Sequence, residues 1–120
     1  KENHLLGILG EQLLASFLIK DGYEIFEMNY NAPPIGEVDI ISRNHGTVVF
    51  TEVRTLIKGY GWNEPQTQIY EHKSERLMNV ARNYMDKNKL DFKIRFDVAE
   101  VNLGEGQPKI NIIKNGMTAY

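Results

Sequence analysis

Gly36-Glu37-Val38-Asp39-Ile40-Ile41, followed after Ser42-Arg43-Asn44-His45-Gly46 by Val49-Phe50-Thr51-Glu52-Val53-Arg54, decides the fold of this 120-residue chain. Each half is rich in β-branched and aromatic residues and reads as a strand. A two-residue turn at His45-Gly46 makes the pair a hairpin, with Asp39 directly opposite Glu52 and Glu37 facing Arg54. Alternate side chains share a face, so Glu37, Asp39, Glu52 and Arg54 would line one side together. A three-residue loop without a bulge would instead put Asp39 and Glu52 on opposite faces. Carboxylates inside apolar strands need a metal, a cation or water, because burying an ionised one unpaired is costly. The competing reading is an ordinary solvated sheet face, with a cross-strand Glu37–Arg54 pair worth roughly 0.2–1 kcal/mol.

Outward from the hairpin, residues 4–20 carry Leu5, Leu6, Leu9, Leu13, Leu14 and Phe17 at helical spacing, and Asp21-Gly22 ends the helix. Tyr23 to Tyr30 reads as a first strand, broken at Asn31-Ala32-Pro33-Pro34. Residues 55–66 hold two glycines, a proline and two aromatics, the composition of a functional or mobile loop. A second helix is predicted from about Thr67 to Asn88, with Leu77, Val80, Ala81 and Tyr84 as its apolar stripe. Lys93 to Asn102 and Lys109 to Lys114 complete the strands, separated by a Gly104-Glu105-Gly106 turn. The order α-βββ-α-β-β predicts one domain over residues 1–120, α/β or α+β, with a central mixed sheet flanked by helices.

Composition is that of a globular domain, at 42% hydrophobic and 25% charged residues. No apolar run is long enough to span a bilayer, and no secretory signal is visible. Without cysteine, disulfides and thiolate metal sites are excluded. A cytoplasmic protein is the expectation. The chain begins at Lys1 without an initiator Met, so a few residues are expected to precede it. The formal net charge of -2 disfavours generic nucleic-acid binding, but it says little about one face of the molecule.

Two further residues stand where a bland fold would not put them. At about 100° per residue, Glu11 falls between Leu18 and Ala15 in an apolar sector, beside Gly7 and Gly10, which permit close approach of a sheet. It is either an ordinary helix-edge acid or reaches a polar site beneath. Lys73 lines up with Leu77, Val80 and Tyr84 on the second helix. Its ammonium either snorkels to solvent or points at the carboxylates or a phosphate. Arg95 and Asp97 share a strand face and read as a structural ion pair. His4, His45 and His72 have no metal-ligand spacing, and Ser16, Ser42 and Ser74 lack a nucleophile-elbow context. Gly59-Tyr60-Gly61 is not a phosphate-binding loop, because no GxxxxGK surrounds it.

Gly10-Glu11, Gly22-Tyr23, Asn29, Gly36 to Ile41, Phe50 to Arg54, Lys73, Ala81 and Arg95-Phe96-Asp97-Val98 together resemble the YraN-like family of small bacterial proteins. The resemblance runs over roughly residues 7 to 103. It implies a restriction-endonuclease-like fold, similar also to archaeal Holliday-junction resolvases. With it comes a nuclease pattern of an Asp, a Glu-x-Lys on the next strand and a further Glu on the first helix. Asp39, Glu52 and Glu11 match it position by position, implying a Mg²⁺ (or Mn²⁺) site that hydrolyses phosphodiesters in DNA, branched or damaged DNA by analogy. Such ions polarise the phosphoryl oxygen and lower the pKa of the attacking water, and Mg²⁺ needs only a few carboxylates.

The chain departs from the pattern at Arg54, where the family has lysine, and at Leu56, where a basic residue often follows. An arginine keeps its charge but cannot serve as a general base. Arg54 and Lys73 are therefore expected to hold the scissile phosphate, and the Gly59–Trp62 loop to touch the duplex or an unstacked base. Dimeric resolvases suit two-fold symmetric junctions, so the resemblance also implies a homodimer. The rival expectation is a non-catalytic module that keeps the fold and binds DNA or a protein.

Overall fold

The turn at His45-Gly46 forms as the spacing predicts. Asn44 pairs with Thr47 across it, and His45 takes a left-handed φ of 59°. In the computed structural model, which describes residues 4–57, 74–104 and 106–115, this hairpin is the middle of one five-stranded sheet. The elements in chain order are α1 (His4–Lys20), β1 (Glu24–Ala32), β2 (Gly36–Asn44), β3 (Thr47–Leu56), α2 (Ser74–Lys87), β4 (Lys93–Asn102) and β5 (Lys109–Ile113). Strands lie side by side in sequence order. Only β3 and β4 run parallel, in ten consecutive pairs from Thr47–Lys93 to Leu56–Asn102. The fold is thus the mixed-sheet α+β arrangement expected. The part of the second helix predicted before Ser74 lies outside the described residues.

Strand alternation sorts the core into two layers. Val48, Phe50, Phe96 and Val98 face α2, where Leu77, Val80, Ala81 and Tyr84 complete the cluster. Val49, Ala99 and Val101 face α1 and meet Leu14, Ala15 and Leu18. Both helices stop for the same physical reason. At the end of α1, Gly22 N–H bonds Ile19 and Tyr23 N–H bonds Leu18, with Gly22 at φ 92°. Lys89 plays the Gly22 part at the end of α2, at φ 54°. Among the described residues no helix is long and apolar enough to cross a membrane.

One irregularity organises the rest. Met28 and Ile40 pack towards α1, yet Tyr30 and Val38, two residues further on each strand, pack towards α2. The pairs Met28–Ile40 and Tyr30–Val38 put Asn29 level with Asp39, and Asn29 has a φ of 55°. Asparagine tolerates this left-handed conformation better than other side chains bearing a Cβ. Both strands therefore exchange faces at that level.

Candidate functional site

The β2–β3 ladder runs from Asn44–Thr47 to Ile40–Thr51 and stops. Asp39 and Glu52 are the first residues beyond the last pair, one on each side of the fork. The register agrees with the predicted one, but the shared face does not persist. Because β2 exchanges faces at Asp39, the expected single face of Glu37, Asp39, Glu52 and Arg54 is interrupted there, although Glu37 and Glu52 still border one cleft. The Asp39 side chain instead turns towards β3, where its Oδ2 accepts the Val53 N–H at 2.8 Å. A carboxylate thus takes up a strand N–H that a continued ladder would direct at the β2 backbone.

Glu52 and Arg54 follow Phe50 on the α2 side of β3. Glu52 borders a cleft of about 400 Å³ together with Glu37, Asn31, the Pro33-Pro34 turn and Arg76 of α2. Arg54 lies level with Glu100 of β4 rather than with Glu37. Lys73, the Gly59–Trp62 loop and His72 lie outside the described residues. Arg76 was not singled out by sequence. It stands three residues past Lys73 in the sequence, and its aliphatic stem covers Gly36, where an added Cβ would meet Arg76 Cδ at 2.9 Å. The only sequence signal for it was that i, i+3 spacing from Lys73.

Glu11 sits on the other layer. Its neighbour Gly10 is buried against Thr55, so closely that an added Cβ would collide with the Thr55 hydroxyl. The predicted close approach of α1 to the sheet is therefore real, and it falls on β3 two residues past Val53. Glu11 itself is half-buried. Among the described residues no three His, Cys, Asp or Glu side chains group closely enough to hold a metal ion. Glu11, Asp39 and Glu52 all lie among those residues, so the three acids are not brought together as one ligand group.

Arg95 and Asp97 form the predicted ion pair, with Nε and Nη2 of Arg95 donating to the two Asp97 oxygens at 2.9 and 2.8 Å. Arg95 also donates to the Tyr23 hydroxyl at 2.9 Å, and Asn115 N–H caps Asp97 Oδ1 at 3.0 Å. The hydrogen bonds to Asp97 push the Arg95 pKa further above its ordinary value, against the opposing effect of burial. This cluster ties β4 to the α1–β1 link and to the residues after β5, and it is structural.

The model of a family described as "Uncharacterised protein family UPF0102" matches residues 10–101, from the glycine at the α1–β3 contact almost to the end of β4. A UPF0102 protein of Alkaliphilus oremlandii is 36% identical over 116 residues, covering 94% of this chain and 97% of its own. One from Clostridium perfringens is 36% identical over 118 residues, with 96% and 95% covered. Another, from Acetivibrio thermocellus, is 36% identical over 116 residues, with 91% and 88% covered.

Proposed function

The chain belongs to the uncharacterised family UPF0102, the YraN family, and from that premise we propose that it is a metal-dependent DNA endonuclease. The observation that carries this reading is the fork. Two carboxylates flank the point where the β2–β3 ladder ends, and one of them is fixed in direction by the Val53 N–H. Asp39 and Glu52 would hold a Mg²⁺ or Mn²⁺ ion, which when bound polarises the phosphoryl oxygen and acidifies the attacking water. The Val53 N–H holds the Asp39 carboxylate in one orientation, so no reorganisation is needed when substrate arrives. Arg76, at the cleft beside Glu52, and Arg54, further along β3, offer guanidinium groups to the phosphates flanking the scissile bond. Glu11, with α1 held against β3 at Gly10, acts through water. Lys73 is assigned the remaining ammonium. Branched DNA is the first substrate to try, by analogy of fold alone.

The test is cleavage of branched and linear DNA with Mg²⁺ or Mn²⁺. Asp39→Asn and Glu52→Gln are each expected to lose at least about a hundredfold in rate, since each removes part of several kcal/mol of charge stabilisation. Glu11→Gln should lose less. Metal-dependent cutting that survives both fork substitutions refutes the site.

A second reading, a module that binds DNA or a protein without cutting, is favoured by Arg54. Its guanidinium cannot take a proton from water, and it is level with Glu100. DNA binding without cleavage in the wild type, not restored by Arg54→Lys, would select this reading.

A further inference from the structure

Arg76 is shared by two recesses. One is the cleft that Glu52 borders. The other is a groove of about 690 Å³ lined by Arg76, Asn79 and Asn83 of α2, with Glu75 and with Ile35 of the β1–β2 turn. At about 100° per residue, positions 76, 79 and 83 fall within roughly 60° of one another, on a single stripe of the helix. Every side chain of that stripe carries N–H donors. Glu75 lies at its outer rim, about 80° round the helix from Asn83. Asparagine is a poor helix former, so local preference does not account for Asn79 and Asn83.

Asn83 has a fixed orientation. Its Oδ1 accepts the Tyr30 hydroxyl at 2.6 Å. Tyr30 is itself buried, with its ring edge-on to that of Tyr84. With the amide oxygen engaged on the protein side, the amide nitrogen is the end turned to the groove. Opposite, the Ile35 N–H donates to the Ala32 carbonyl at 2.6 Å and holds the turn in place. A ligand suited to this groove is extended, rich in acceptors and able to rest an apolar side on Ile35.

We propose that one strand of the DNA substrate leaves the fork along this groove, with phosphates on the Asn79 and Asn83 amides and sugars against Ile35. This rests on the endonuclease reading above, and continuity with the cleft through Arg76 selects the occupant. From Arg76 to Asn83 the helix rises about 10 Å. A DNA strand advances about 3.4 Å per nucleotide, so the groove spans about three nucleotides. Because its oxygen is turned inward, Asn83 cannot form the two-bond amide pair with adenine. The contact is therefore to the backbone and independent of sequence. Tyr30 is a positioning residue that acts through Asn83.

Fluorescence anisotropy of labelled branched DNA, with divalent ions chelated, reads binding without cutting. The wild type is expected to bind. Asn83→Asp keeps an acceptor for the Tyr30 hydroxyl but replaces the amide donors by a charge, and should weaken binding about tenfold or more. Arg82→Gln changes the net charge equally, one residue away on the exposed side of α2. It should change affinity less than about twofold. Tyr30→Phe should cost about threefold alone and nothing further in the Asn83→Asp chain. The Asn83→Asp loss should be the same on DNA of unrelated sequence. A wild type that does not bind overturns the proposal. So do equal losses from Arg82→Gln and Asn83→Asp, or additive losses from Tyr30→Phe and Asn83→Asp. The expected pattern without cleavage in Mg²⁺ would uphold the groove and refute the endonuclease reading alone. Cleavage by a chain whose affinity ignores Asn79→Asp and Asn83→Asp would refute the groove alone.

Discussion

Tyr84 is where the α2 layer is most sensitive to a single atom. Its ring meets Tyr30 edge-on at 5.1 Å and Phe50 at 6.0 Å. Burial, then the nearby charges of Glu27 and Tyr30, push its hydroxyl above the ordinary value of 10.0. The unfolded chain therefore gives up this proton first. Stability is fully present below about pH 10 and falls as pH rises beyond it, until the folded hydroxyl ionises as well. Tyr84→Phe keeps the ring and should flatten that alkaline decline, measured as urea midpoints between about pH 9 and pH 11. An unchanged slope would assign the decline to other groups. At this scale the fork acids were legible, because carboxylates among β-branched residues stand out in any reading. Arg76 was not, since its place depends on α2 settling over Gly36. The exchange of faces at Asn29 was equally hidden. Neither glycine nor proline marks it, and β1 reads straight through it as a continuous strand.

At the scale of elements, the α1–β3 contact turns on one missing carbon. Gly10 lets the helix backbone lie against Thr55, whose Oγ1 is buried with no hydrogen-bond partner among the described residues. Gly10→Ala must push α1 away or displace the threonine, and is expected to cost about 1–3 kcal/mol despite the better helix propensity of alanine. Chemical denaturation measures this directly. Gly10→Ala combined with Thr55→Ala, which removes the colliding hydroxyl, should recover part of the loss if steric crowding is the cause, and none if it is not. Helix and strand limits were largely readable because their punctuation is chemical: Gly22 after α1, and Pro33-Pro34 after β1. The end of α2 was read within one residue, at Asn88 against Lys87, although a lysine, Lys89, adopts the left-handed cap that glycine usually supplies. The end of the β2–β3 ladder was not readable at all. Hairpin periodicity gives register near the turn, but not the point where tertiary packing pulls the strands apart.

Over the whole molecule, Arg95 and Asp97 join parts far apart in the chain, and Asp97 is 2% exposed. Removing one member leaves the other charged and poorly solvated. Asp97→Ala is accordingly expected to cost about 3–5 kcal/mol and to lower the melting temperature by roughly 10 °C or more. Calorimetry of the two single variants and the double variant gives the coupling, and near-additive losses would show that the pair does not act as a unit. The pair was visible in the sequence as two charges at i, i+2, but its links to Tyr23 and Asn115 were not. Pairing of β3 with β4 was likewise unreadable, because periodicity identifies strands without naming their neighbours. The left-handed Asn29 has one more effect at this scale. It lies on β1, an outer strand of the sheet, which also carries a register shift between Ile25 and Glu27. An edge interrupted twice in nine residues is a poor template for strands of other molecules. The kink that aims a carboxylate inward thereby guards the same border against aggregation.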